Sequence, residues 1–163
     1  MLSVQQMIQA IEKLLTIHKS LLRISTEKTT IVKNGDTEQL QPLLMKERRH
    51  IQALEQTEAF RQQTVTDWAA KSGFQQQSVT ITDILEQLPD EQDKEQLADV
   101  TTELTNVVTA LKRQEQLNRV LIQQSLQFVD ISLDMINPSL KKLNYGQAQL
   151  IDTDKQSVFD SKA

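Results

Sequence analysis

Apolar residues recur in this chain at steps of three and four, and three long stretches hold that rhythm on a seven-residue period. This is the pattern of amphipathic helices with one buried stripe. In the first stretch the stripe is Val4, Met7, Ile8, Ile11, Leu14, Leu15, Leu21, Leu22 and Val32, with His18 and Ser25 on the same face. The spacing predicts a helix over about 3–34. Asn34-Gly35 closes it, because both residues accept the left-handed backbone of a helix end. Asp36, with Gln39 three residues on, then opens the next helix as a capping-box pair. That second helix is expected over about 37–71, with Pro42 at the first position of its main run. Its stripe reads Leu44, Glu47, Ile51, Leu54, Glu58, Arg61, Val65 and Trp68. Three charged residues lie in this stripe, so either they snorkel at its edge or the seam is only partly buried. Lys71-Ser72-Gly73 breaks the helix.

Thr80-Ile-Thr-Asp83 reads as a capping box opening a short helix over 81–88. Pro89 resets the chain, and Asp90, Glu91 and Asp93 set negative charge at the start of a third long helix, where the helix dipole favours it. This helix is expected over about 90–136, where Asn137-Pro138 stops it. Up to Leu111 it carries one seam: Leu97, Val100, Leu104, Val107, Val108, Leu111. Beyond Asn118 it carries two. One is Leu121, Ser125, Phe128, Ser132 and Met135; the other is Ile122, Leu126, Val129, Leu133 and Ile136. Neighbouring positions lie about 100° apart around a helix, so the apolar arc nearly doubles, and Val120 and Ile131 widen it further. One seam suffices to close an antiparallel bundle. The second is covered by the short helix, the tail or a second copy of the chain, or it is a groove for an amphipathic helix of a partner.

The pattern as a whole predicts an all-α fold: an elongated antiparallel three-helix bundle over 1–136 and a pliable C-terminal arm over 137–163. The arm is not a purely polar linker. Leu140, Leu143, Tyr145, Leu150, Ile151, Val158 and Phe159 are spaced like anchors of a segment that orders on contact.

Composition sharpens this picture chiefly by exclusion. Three Gly, three Pro and 4% aromatic residues in 163 suit long helices and argue against sandwiches, barrels and doubly wound sheets. A net charge of -4 with both signs interspersed offers no basic surface for nucleic acid. The chain has no cysteine, so disulfides and thiolate metal sites are out and a reducing compartment fits. The first residues lack the basic region and unbroken apolar run of a signal peptide, and no apolar window is long enough to span a bilayer. A cytoplasmic protein without cofactors is expected.

Catalytic constellations are scarce. His18 lies on the first stripe, and the lysine-glycine pair that histidine phosphotransfer domains place after their histidine is missing. His50, on the second helix, is expected to face solvent. Two histidines on different helices make no metal box. Glu47, Glu58 and Arg61 read as an interhelical salt-bridge set, and no phosphate loop or nucleophile elbow is present. Trp68 and Phe60 are expected to pack near the end of the helical hairpin. Met7, Met45 and Met135 read first as core fillers, with Met135 alternatively lending adaptability to a partner groove, and Glu95, Glu103, Lys112, Arg113 and Glu115 as a solvated face.

The residues resemble the FlgN family of flagellar export chaperones. In the first half the likeness rests on Glu27-Lys28, Ile31, Lys33-Asn34-Gly35-Asp36, Leu40, Leu43-Leu44, Glu47, Ile51, Leu54, Glu58 and Arg61. In the second it rests on Asn118, Leu121, Ile122, Ser125, Leu126 and Phe128. Leu143-Asn144-Tyr145-Gly146 looks like the family's Leu-Tyr-Gly element with one extra residue, and Val158 to Ala163 like the ending of Gram-positive members. The resemblance implies a non-enzymatic chaperone for the hook–filament junction proteins FlgK and FlgL, with self-association possible. By that likeness, cargo binds the C-terminal half, at Asn118, Leu121, Ile122, Ser125, Leu126, Phe128, Val129, Leu133 and Ile136. Tyr145 and Gly146 would dock on the export gate FlhA. A structural coiled-coil subunit whose apolar faces serve self-association is the alternative.

Overall fold

A computed structural model describes residues 2–74 and 78–136. Among them are four helices and no strand: α1 (Leu2–Asn34), α2 (Thr37–Ser72), α3 (Ile81–Gln87) and α4 (Glu91–Ile136). The chain divides into two compact units, Met1–Arg119 and Val120–Ala163. The expected arm over 137–163 lies outside the described residues.

The helix ends follow local chemistry. Gly35 takes a φ of 65°, and the N–H groups of Gly35 and Asp36 donate to the carbonyls of Val32 and Ile31 at 3.2 and 3.1 Å. This paired closure satisfies carbonyls that α1 leaves open. One residue later Asp36 accepts from the Gln39 N–H at 3.2 Å and starts α2. Gly73, at φ 72°, ends α2 in the same left-handed conformation. Thr80 and Asp83 form the reciprocal capping box of α3, and Asp90 accepts from the Gln92 N–H at 2.9 Å at the head of α4.

In the first unit, α2 runs antiparallel to α1: Lys28 bonds Glu47, while Trp68 packs with Met7 and Ile8. Polar pairs between α1 and α4 advance in the same direction along both helices, from Gln5 with Asp93 through Lys19 with Glu103 to Thr29 with Asn118. The core is concentrated where α1 begins. Val4, Met7, Ile8, Ile11 and Leu15 pack there with Trp68, Ile84, Leu88, Leu97 and Val100. Trp68 and Phe74 approach to 5.8 Å between ring centroids. A smaller cluster, Ile24, Ile31 and Leu43, sits toward the other end of α1.

Several expectations for α2 need correction. Pro42 is inside the helix rather than at its first position. Its missing N–H frees the carbonyl four residues back, on Glu38, and both residues are exposed, so water can satisfy that group and the helix continues. The inward residue near the start is Leu43, while Leu44 and Ile51 are exposed. Met45 and Phe60 are exposed too, and fill no core. Thr64, absent from the expected stripe, is buried because its hydroxyl donates to the Arg61 carbonyl at 2.7 Å and leaves the methyl to pack.

Candidate functional site

Two features stand out from an otherwise ordinary helical surface. The first is the end of α4. From Val120 to Ile136 no large apolar side chain is buried. Ile122 is 39% exposed, Leu126 65%, Phe128 72% and Met135 82%, and Val120, Val129, Ile131, Leu133 and Ile136 are exposed as well. Only Leu121, Ser132 and Asp134 are partly covered in this stretch. Ser125 turns its hydroxyl back onto the Leu121 carbonyl at 2.9 Å, which spends its polarity within the helix and leaves the surface around it apolar. Isolated apolar residues on a surface are ordinary, whereas a run covering both expected stripes makes this stretch the candidate site. Met135, expected as a core filler, belongs to this run.

Asn118, placed with these residues on sequence grounds, is different. It is 1% exposed and lies in the first unit, where it anchors a polar cluster. Its amide nitrogen donates to the carbonyl and hydroxyl of Ser25 at 2.8 and 3.0 Å, and its oxygen accepts from the Thr29 hydroxyl. Gln114 donates to Thr29 in turn. The Ser25 hydroxyl donates to Glu115 at 2.7 Å. Lys28, also buried, bonds Glu47 at 2.6 Å and approaches Glu115 at 3.5 Å, so one ammonium ties α1 to both α2 and α4. Glu115 therefore does not belong to a solvated face as expected, and Glu103 pairs with Lys19. Apolar periodicity could not reveal this cluster. Its sequence signal was the polar content of a heptad seam at Ser25, Lys28, Thr29 and Asn118.

Tyr145 and Gly146 lie outside the described residues. The groups that could carry proton chemistry are engaged locally. His18 and His50 each donate from Nδ1 to the carbonyl four residues earlier, Leu14 at 2.7 Å and Lys46 at 2.8 Å. Glu58 and Arg61 pair within α2 at 2.6 Å rather than between helices. The Arg61 hydrogen bonds hold the Glu58 carboxyl below the usual carboxylate range, against the opposing effect of its partial burial. A shallow cleft lined by Leu14, His18, Leu54 and Glu58 brings His18 and Glu58 together, but no cluster of metal-ligating side chains occurs among the described residues. No helix described is long and apolar enough to cross a membrane.

The family model described as FlgN protein matches residues 1–151. A Bacillus subtilis (strain 168) protein described as "Uncharacterized protein YvyG" is 34% identical over 165 residues, spanning 99% of this chain and 100% of its own. No solved structure matches.

Proposed function

This chain belongs to the FlgN family of flagellar export chaperones, and from that premise we propose that it escorts the hook–filament junction proteins FlgK and FlgL through the apolar face of α4. The residues proposed to hold cargo are Leu121, Ile122, Ser125, Leu126, Phe128, Val129, Leu133 and Ile136. Asn118 acts from the interior, and Tyr145 with Gly146 contacts the export gate FlhA in the cytoplasm. α1, α2 and the first part of α4 serve as an antiparallel three-helix bundle that presents the face. The single observation that carries this reading is the exposure of both apolar stripes beyond Val120.

The magnitudes suit a helix-in-groove partner. Fully burying one large apolar side chain contributes about 1.5–3 kcal/mol, while association costs several kcal/mol before any contact shows as affinity. One or two exposed residues would not hold a client; a double stripe can. Binding one state of the cargo then keeps it soluble by mass action, and transfer at the gate ends the cycle. No step needs bond chemistry.

The test is the double substitution Leu126→Glu with Val129→Glu, assayed by co-elution with helical terminal fragments of FlgK and FlgL. Binding should be lost while the melting temperature and circular dichroism stay near native. A collapse in melting would assign these residues to a core and end the reading. Tyr145→Ala should spare cargo binding and weaken association with FlhA. A chain that ignores the fragments and polymerises alone would instead be a structural coiled-coil subunit.

A further inference from the structure

Along most of the α1–α4 seam the apolar residues repeat by heptads, so burial alone does not select a register. Sliding α4 by seven residues puts Leu104 where Leu97 stands, Val107 in place of Val100 and Leu111 in place of Leu104. The opposite slide is closed off independently, since it drives Asp90 and Asp93 into the apolar core at those levels. The favourable slide has a second attraction: it brings Leu121 and Ile122 to the levels held by Gln114 and Glu115, drawing part of the exposed stretch into the seam.

The exposed pairs Gln5–Asp93 and Lys19–Glu103 would break at little cost, so the buried polar cluster is what resists it. Ser25, Lys28 and Thr29 meet Gln114, Glu115 and Asn118, and one heptad on stand Leu121, Ile122 and Ser125. After the slide Lys28 would face Ile122 in place of Glu115. A serine hydroxyl has one proton and could not reproduce the bonds Asn118 makes. Asn118 itself would land between His18, whose Nδ1 is already engaged, and Leu22. Buried polar groups stripped of partners cost more than the extra apolar burial returns, and a single buried polar residue is enough to fix register in heptad seams.

We propose that this cluster is a register pin: it holds α4 at one setting on α1 and so keeps the leading part of the apolar stretch beyond Asn118 from being drawn into the helix seam, leaving it open to a client. The second half of the statement rests on the client-binding reading above. The pin specifies by exclusion, making the competing register worse rather than the native one tighter.

The chain has no cysteine, so nitroxide labels at Gln6→Cys and Arg113→Cys, both exposed positions, report the register by pulsed electron resonance. In the native seam one distance is expected. In the Asn118→Leu, Lys28→Met double variant a second population should appear, shorter by about 10 Å, the axial length of seven helical residues. Binding of the FlgK and FlgL fragments should fall in step with that population. Should the double variant fail to fold, Asn118→Leu alone gives the same readout with less disturbance. A single, native distance in the folded variants overturns the pin. A shortened population with undiminished fragment binding overturns its link to the client face. The distance is read without client, so failure of the native chain to bind FlgK or FlgL removes the chaperone reading and leaves the register result standing.

Discussion

The two ends of the first unit solve the same packing problem with different chemistry. Where α1 begins, Met7, Ile8 and Ile11 close over Trp68, Ile84 and Leu97 in a dry core. Toward its other end, Ser25, Lys28 and Thr29 occupy seam positions and are matched by Asn118, Glu115 and Glu47. The contrast separates two tasks that burial is often credited with together. The dry end stabilises the helices but would accept a second alignment one heptad away. The polar end adds little net free energy, because each bond replaces one to water, yet it accepts one alignment only.

Substitutions at each end should therefore differ in kind. Leu97→Ala opens a cavity in the dry core and should cost about 2–5 kcal/mol, read by urea denaturation, with cargo binding unchanged per folded molecule. A cost below the lower figure would mean that the core collapses around the gap. Lys28→Ala should cost about 1–3 kcal/mol, because it leaves Glu47 without its buried partner, and Glu47→Gln should be milder since a hydrogen bond remains. The smallest effect belongs to α3. The Thr80 hydroxyl and backbone hydrogen bonds hold the Asp83 carboxyl below its usual range. A depressed carboxyl supports the folded state above its ordinary pKa and loses that support as pH falls through the folded value. Protection of the α3 amides from hydrogen exchange should thus weaken only in acid, and Thr80→Ala should weaken it at every pH.

Legibility in the sequence follows the same division. The helix count, the left-handed closures at Gly35 and Gly73, the Thr80–Asp83 box and the doubled stripe beyond Asn118 are all readable, because each depends on neighbours a few residues apart. Leu43 loses out to Leu44 in a sequence reading because adjacent leucines fit a stripe equally well until a partner helix chooses between them. Pro42 is misplaced because an exposed carbonyl tolerates a missing donor, which no local rule reveals. The position of Asn118 escapes for a deeper reason. Hydrophobic counting treats a polar residue in a stripe as a gap, whereas here its partners sit some ninety residues away in sequence. Phe60 and Met45 look like core residues by type alone, yet both stay exposed.

The sole tryptophan of the chain gives the dry end a signal of its own. Trp68 is buried, with Phe74 beside it, so its ultraviolet emission follows water entry at that end, while far-ultraviolet dichroism sums over every helix. If the two signals were to part company during a thermal ramp, the unit would be melting from one end, with no label added.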